Sequence, residues 1–351
     1  MNSQKIRKRV TLKSISEQAG VTHSTASRIL NNNNSYKYSD ETVRRVLQVA
    51  EERGYRTNQL YRSVFSGKTN SAGVISTMGT FYSKINKGIH DRLLEDGYAT
   101  IMGINDKDYD NPDNSLEEKI IHRLNEHRVD GFIMRPTLDN ATDEHFREII
   151  RAQIPLITFD RKVNSKYADF VGSDDIQGGR LAAVYLSDLG HRNIVQFAAD
   201  QQVSSFRNRA SGFETELIKR GCNIQTASFK TMEDLSEKCI LIFSRKEHPS
   251  AIFCSCDAHA ARVYRELSKI GLSIPEDVSV VGYGNTEECK YVNPELTTID
   301  QRPYQIGLTA AELFLKRLEE PLGTKHNQNE IYIDVDLVER NSCRNQSKTA
   351  G

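Results

Sequence analysis

The sequence lacks tryptophan and net formal charge, and it has only 6 cysteines and 8 prolines among 351 residues. So few cysteines in so long a chain exclude a small disulfide-stabilised scaffold. No run approaches the ~18 apolar residues that a membrane-spanning helix needs. A hydrophobic share of 38% and a charged share of 27% exclude a collagen-like or disordered chain. The length instead indicates a globular protein of two or three compact units.

Export and metal-binding signals are also missing. The first ten residues are charged, but no apolar segment follows them, so we expect a cytoplasmic protein with reduced thiols. Cys254 and Cys256 have no second Cys or His pair at zinc spacing nearby. We interpret them as small residues at the end of a buried strand, and we expect no metal.

The charge is distributed unevenly along the chain. Residues 1–68 hold 13 Lys and Arg against 5 acidic residues, a net charge of +8, so residues 69–351 carry −8. A basic region joined to an acidic body is typical of a module that binds a polyanion. The zero total is therefore no argument against nucleic acid.

Three short helices are predicted in the basic region. Thr11, Thr22 and Ser39 precede them as capping residues, and Gly20 and Gly54 end the first and the third. The helical spacing places one group of apolar residues on the inner faces. They are Leu12, Ile15, Ala19, Ala26, Ile29, Leu30, Val43, Val46, Leu47 and Ala50.

Two of these helices, joined by the turn at Gly20, form a predicted helix-turn-helix. The second helix exposes His23, Ser24, Ser27 and Arg28 and contains no acid. Short polar and basic side chains at this place contact base edges in the major groove. A three-helix bundle with a solvated face would explain the apolar stripe, but not the +8 charge.

The segment TLKSISEQAGVTHSTASRILN (residues 11–31), with residues 39–42 and 50–56, resembles the head of the LacI/GalR family of bacterial transcription regulators. The resemblance implies that His23, Ser24 and Arg28 contact bases. It also implies that a second group mostly contacts phosphates, namely Thr22, Thr25, Ser27 and Asn31.

Residues 58–70 resemble the hinge helix of the same family, which binds the minor groove at the centre of the operator. Tyr61, Arg62 and Val64 are the implied DNA contacts. Val64 stands where the family usually has the Leu that kinks the duplex, and Tyr61 stands where it has a small Ala. A simple linker is the alternative interpretation.

Beyond residue 70, short apolar runs alternate with amphipathic helices. This pattern predicts parallel, doubly wound α/β sheets in two lobes, with a ligand cleft at the carboxyl ends of the strands. The predicted strands include residues 73–76, 99–103, 131–134, 155–159, 193–198, 251–254 and 278–282. The predicted helices include residues 84–96, 116–127, 178–189 and 258–270.

This part resembles the family's effector domain, which is itself similar to periplasmic sugar-binding proteins. Matching motifs include residues 129–131, 159–161, 173–179, 209–213 and 274–283, and the whole resemblance runs from about residue 10 to 343. It implies a head at 1–57, a hinge at 58–70, a body at 71–343 and a flexible tail at 344–351. Within the body, lobe 1 is predicted at about 71–172 and 302–323, and lobe 2 at about 173–298 and 328–343.

The resemblance also implies the residues that bind the effector. They are Phe81, Tyr82, Asp160, Arg161, Arg209, Asp257 and Asn285. Asp160 and Arg161 could instead form a structural ion pair, and Phe81 or Tyr82 could be ordinary core. Cys256 and Gly284 replace polar residues that many members use to bind a sugar, so the identity of the effector stays open.

The expected function is that of a homodimeric repressor of a carbohydrate operon. It would bind a pseudo-palindromic operator, with an affinity that a small sugar-like effector changes. A purine, a sugar phosphate or a protein partner is the alternative effector, and a solute-binding protein is a remote alternative. No nucleophile motif, dinucleotide fingerprint or phosphate-binding loop is present, so we expect neither an enzyme nor a cofactor. No membrane partner is expected.

Overall fold

The computed structural model describes residues 10–30, 37–55, 68–106, 114–139, 141–199, 203–321 and 327–346. The chain divides into two compact units, Met1–Thr69 and Asn70–Gly351. We call the first unit the head and the second the body.

The head contains the three predicted helices, α1 (Leu12–Ala19), α2 (His23–Leu30) and α3 (Asp40–Glu52). The hydroxyl of Thr11 accepts the Ser14 N–H at the start of α1. Gly20 ends α1 with φ 65°, a backbone conformation that glycine adopts without steric cost. The hydroxyl of Ser39 caps α3 in the same way as Thr11 caps α1.

The core of the head differs from the prediction at one position of α3. Val46 is fully buried, but Leu47 is 48% exposed and Val49 takes a place in the core instead. Each residue of an α-helix turns by about 100°, so Leu47 lies to the side of the face on which Val46 and Ala50 point inward. The prediction that Leu47 belongs to the inner stripe is therefore wrong.

The body is built of strands and helices that alternate along the chain. Its strands are β1 (Ser71–Ser76), β2 (Ala99–Ile104), β3 (Phe132–Met134), β4 (Leu156–Phe159), β5 (Ala168–Ser173), β6 (Asn193–Ala199), β7 (Asn223–Phe229), β8 (Ala251–Cys254), β9 (Ser279–Tyr283), β10 (Thr297–Asp300), β11 (Glu330–Ile333) and β12 (Asp336–Val338). Its helices are α4 (Thr80–Glu95), α5 (Ser115–Glu126), α6 (Arg147–Ala152), α7 (Asp175–Asp188), α8 (Ser204–Lys219), α9 (Met232–Phe243), α10 (Asp257–Lys269) and α11 (Pro303–Glu319), with a 3-10 turn at Glu287–Lys290.

The strands form two sheets, in the orders β11-β5-β4-β3-β1-β2 and β12-β10-β9-β8-β6-β7. Nearly all neighbouring strands are parallel, whereas β12 runs antiparallel to β10. The central strands β1, β4, β5, β8 and β9 are buried throughout, because helices cover both faces of each sheet. The predicted doubly wound α/β class with two lobes is confirmed.

The chain crosses between the lobes three times. The crossings lie between Ser173 and Asp175, between Asp300 and Pro303, and between Ile333 and Asp336. The third crossing differs from our boundary, since residues 330–333 pair with β5 in the first sheet although we placed residues 328–343 in lobe 2. A short strand at the end of a chain carries no signal of which sheet edge it joins.

The last described residues also differ from the predicted tail. The Arg344 N–H donates to Ser279 Oγ over 3.1 Å, and the Gln346 N–H donates to the Leu189 carbonyl over 2.8 Å. Residues 344–346 are therefore attached to the second lobe, although we assigned residues 344–351 to a flexible tail.

Candidate functional site

The exposed surface of the head at the start of α2 is polar. Thr22 Oγ1 accepts the Thr25 N–H over 3.1 Å and lies 3.0 Å from the Ser24 hydroxyl, so Thr22 caps the helix as predicted. Thr22, His23 and Ser24 are exposed, and Thr25, Ser27 and Arg28 are partly buried. The first turn of α2 contains no acid.

The rest of the head fixes the direction of this helix. Ala26 and Ile29 anchor α2 in the core, and Arg45 Nε on α3 donates to the Ala19 carbonyl at the end of α1 over 2.9 Å. A helix N-terminus offers free N–H groups and a partial positive charge to an anion. Because α2 also carries the cationic Arg28, and the short hydroxyl side chains of residues such as Thr22 and Ser24 lie at its start, this surface suits the major groove of a duplex. Asn31, Tyr61, Arg62 and Val64 lie outside the described residues.

The first lobe of the body brings Tyr82 and Asp160 together. Asp160 follows β4 directly, and its Oδ2 accepts the Tyr82 hydroxyl over 2.9 Å. Arg135, which follows β3 directly, donates from Nε to the Tyr82 oxygen over 2.9 Å and lies 3.4 Å from Asp160 Oδ2. Our prediction missed Arg135, although its position just after a buried strand was a usable signal.

Phe81 and Arg161 lie beside this cluster. The ring of Phe81 meets the ring of Tyr82 edge to face at 5.1 Å and packs against the core of the lobe. Arg161 follows Asp160, whose φ of 64° lies in the left-handed region. The guanidinium of Arg161 donates to the Thr137 carbonyl and lies 3.9 Å from Asp139 Oδ1.

In the second lobe, Arg209 is the centre of a buried polar network. It donates to Asp175 Oδ1 over 2.8 Å, to the Ser255 carbonyl over 2.9 Å and to Gln301 Oε1 over 2.8 Å. Its guanidinium also lies 4.1 Å from the ring centre of Tyr283. Burial opposes the charge of Arg209, but the nearby carboxylates of Asp175 and Asp160 outweigh it, so the pKa of Arg209 is raised.

Electrostatic coupling links the two lobes at this place. Burial raises the pKa of Asp175, the charge and hydrogen bond of Arg209 oppose that rise, and the negative charge of Asp160 adds to it. Asp160 of the first lobe and Asp175 of the second thus lie close enough to affect each other. Together with Arg135 and Arg209 they form a group of charged residues at the carboxyl ends of the strands.

Asp257 and Asn285 already have partners inside the second lobe. Asp257 accepts the Thr286 N–H over 2.9 Å and the Thr298 hydroxyl over 2.6 Å. Asn285 donates to Asp300 over 2.9 Å and accepts from Arg340 over 2.6 Å. Their direct contact with a ligand stays a prediction.

Polar contacts between described residues join the lobes across the cleft. Asp139 accepts the Ser204 N–H at the start of α8. On the other side, Thr80 donates to Glu288 over 3.4 Å, and Lys84 lies 3.9 Å from Glu287. These contacts bring together the rims of the cleft between the two lobes.

Two classes of site are missing from the described part of the chain. No helix there is long and apolar enough to span a membrane. No group of three or more His, Cys, Asp or Glu side chains there is arranged to hold a metal ion.

Known proteins share both parts of this architecture. Residues 11–58 match the family described as bacterial regulatory proteins, lacI family, and residues 183–343 match the periplasmic binding protein-like domain. The HTH-type transcriptional repressor PurR of Vibrio vulnificus is 28% identical over 346 residues, which is 95% of this chain and 98% of that protein. The ribose operon repressor of Escherichia coli is 28% identical over 343 residues, with 95% and 99% covered.

Solved structures agree with these matches. The Lac repressor dimer bound to operator and the anti-inducer ONPF has a TM-score of 0.80 at 23% identity, over 96% of this chain and 100% of that chain. A LacI-family regulator from Enterococcus faecium with bound ribose has a TM-score of 0.65 at 27% identity, over 78% and 99%. The chain therefore combines a head of the lacI family of bacterial regulatory proteins with a periplasmic binding protein-like body, and the relatives that share this combination are transcriptional repressors.

Proposed function

We propose that a small, neutral, hydroxyl-rich molecule, a sugar in the first place, binds between the lobes and changes the affinity of this repressor for its operator. The observation that carries the proposal is the group of Tyr82, Arg135, Asp160, Asp175 and Arg209 at the carboxyl ends of the strands. Carboxylates and guanidinium groups bind the hydroxyls of a sugar from both sides, and an aromatic ring packs on its apolar face.

The charge of the cleft favours a neutral ligand over a phosphorylated one. Three arginines at the cleft (Arg135, Arg161, Arg209) are matched by three acids (Asp139, Asp160, Asp175). A phosphate would add about two negative charges beside carboxylates that are already buried. A sugar phosphate therefore needs a cation excess that these residues do not supply.

Two of the relatives support the same ligand class. The Enterococcus faecium regulator carries bound ribose, and the Escherichia coli relative is a ribose operon repressor. Cys256 directly precedes α10, at a position where the family resemblance implies a polar residue. For this reason we propose a sugar and do not specify which one.

The ligand would act by shifting an equilibrium between arrangements of the lobes. A homodimer would place two heads on the half-sites of a pseudo-palindromic operator, and cleft closure would change their spacing. A coupling of about 1–3 kcal/mol would change operator affinity by about 5–150-fold. We propose release of DNA as the direction, and the test below also detects the opposite sign. Such a repressor catalyses no reaction and acts in the cytoplasm, where the chromosome is.

Calorimetry on the full chain tests the ligand class. The arms are ribose and other pentoses and hexoses, their 5- or 6-phosphates, and free purines. We expect heat of binding with at least one neutral sugar. The DNA probe is a labelled duplex that the protein has selected from a random-sequence pool. Adding the same sugar to the protein–DNA complex should change the fluorescence anisotropy of this duplex. Binding of purines or phosphates alone would overturn the sugar assignment. Because the chain has no tryptophan, tryptophan fluorescence cannot replace these measurements.

A further inference from the structure

A buried carboxylate behind the cleft holds the loop that follows β3. Glu117 on α5 is fully buried. One of its oxygens accepts both the N–H and the hydroxyl of Thr137 over 2.7 Å, and the amide of Asn105 lies 3.4 Å from the same oxygen. Its other oxygen lies 2.6 Å from His145 Nε2. Both carboxylate oxygens of Glu117 are thus within hydrogen-bond distance of partners.

The loop that Glu117 holds carries groups of the cleft. Arg135 and Asp139 lie two residues to either side of Thr137, and the Thr137 carbonyl accepts from Arg161. Arg135 contacts Asp160, and Asp139 accepts the Ser204 N–H of the second lobe. A shift of Thr137 would therefore move a ligand-facing cation and a contact between the lobes together.

His145 supplies a positive charge to this carboxylate. Its side chain is 6% exposed, and its other ring nitrogen lies 3.5 Å from Glu118. Burial disfavours the imidazolium, but the hydrogen bond to Glu117 and the charges of Glu117 and Glu118 outweigh burial and raise the pKa of His145. The stabilisation that the pair of His145 and Glu117 contributes to the fold is therefore complete below the ordinary histidine pKa of 6.5. It is lost as the pH rises through the raised pKa of His145.

We propose that Glu117 is a positioning residue for the ligand cleft and that the charge on His145 controls it, so that contact between the lobes weakens at alkaline pH. The charged groups that face the pair are Glu118 on α5 and, beyond Thr137, Arg161 from the loop after β4. The neighbouring Glu144 and Arg147 pair with each other. Loss of the imidazolium charge leaves Glu117 buried without its closest cation.

This inference depends on the proposed function in one respect only, namely that Arg135 and Asp139 lie at the ligand cleft. Its test needs no ligand, so the two can fail separately. Hydrogen exchange of the full chain is measured at pH 5.5 and 8.5 and corrected for the intrinsic exchange rate. The peptides of interest contain Thr137 and Ser204, whose N–H groups donate to Glu117 and Asp139. A peptide from β9 is the internal reference.

We expect protection of both peptides to fall from pH 5.5 to 8.5 in the wild type while the β9 peptide stays unchanged. In His145→Gln and in Glu117→Gln the protection should no longer depend on pH, because one charge of the pair is missing. If Glu117→Gln fails to fold, as circular dichroism would show, His145→Gln decides. The matched control is His122→Gln, an exposed histidine on α5 that also lies beside two glutamates, Glu126 and Glu148.

The control should keep the wild-type pH profile. His191 and His259 do not interfere, because burial lowers their pKa to about 4, below the measured range. A flat profile in the wild type, or a wild-type profile in His145→Gln, would overturn the proposal.

Discussion

Replacing Arg209 with methionine removes the cation of a buried pair and leaves Asp175 without its partner. Arg209 is 4% exposed, and its three hydrogen bonds of 2.8–2.9 Å all end on buried acceptors. Breaking a buried ion pair from one side costs about 3–5 kcal/mol. We therefore expect the midpoint of urea unfolding of the body, followed by circular dichroism, to fall by about 1–2 M at neutral pH.

The pH dependence of the same variant checks the physical cause. Burial already raises the pKa of Asp175, and Arg209 holds that rise back, so the variant should bind a proton at Asp175 more readily. When the pKa of an acid is higher in the folded than in the unfolded state, the folded protein is more stable at low pH and becomes less stable as the pH rises. Arg209→Met should accordingly lower the free energy of unfolding by less at pH 4 than at pH 8.

Two further variants separate stability from ligand response. Arg317 forms an equivalent buried pair with Asp169, over 2.6 and 2.8 Å, at the amino end of β5 and away from the cleft. Arg317→Met should lose comparable stability but retain the sugar response of operator binding, whereas Arg209→Met should lose both. In an Asp175→Asn background, Arg209→Met should cost less. The reasoning would be refuted if Arg209→Met alone lowered the free energy of unfolding by less than about 1 kcal/mol. It would also be refuted if the loss were equal in the wild-type and the Asp175→Asn backgrounds.

Three other predictions concern the head, the helix packing and the cleft. His23→Ala and Arg28→Ala should each relax preference for a base by about 1–3 kcal/mol in competition with point-mutated operators, while uniform weakening would make them phosphate contacts. Gly307→Ala should cost about 1–3 kcal/mol in thermal unfolding, because the added Cβ would lie 2.1 Å from the Ile85 carbonyl on α4; an unchanged melting temperature would contradict this close packing. Asp160→Asn should weaken sugar binding in calorimetry and leave operator retardation intact, and an unchanged sugar titration would remove Asp160 from the site.

The sequence predicted the helices of the head to within a residue, because each has its own cap and apolar stripe, and a glycine follows the first and the third. Most of the buried strands of the body were equally clear, since burial on both faces leaves a continuous apolar run. The strands β5, β7, β10, β11 and β12 were not among those predicted. β7, β11 and β12 lie at sheet edges and are partly exposed, and the buried strands β5 and β10 contain polar residues that interrupt an apolar run. Edge strands are defined by their neighbours, which a local pattern does not contain.

The same limit applies to the candidate site. Asp160 and Arg209 follow from the family resemblance, and the structure places both at the cleft. Asp175 was not among the predicted ligand residues, yet it is the carboxylate that pairs with Arg209. Its partner lies 34 residues along the chain, and only the folded lobe brings the two together. The roles of Arg135 and Glu117 depend in the same way on distant partners.

The three crossings between the lobes have a consequence for synthesis on the ribosome. The head is contiguous in sequence and can fold as soon as it emerges, as N-terminal units generally do. The first lobe cannot be completed until α11 and β11 have been made, because Phe314 fills its core and residues 330–333 close its sheet beside β5. By then β6 to β10 of the second lobe have left the ribosome. The lobe translated first is therefore completed only after most of the other lobe has been made, and a nascent chain that stops near residue 300 would expose the unfinished edge at β5.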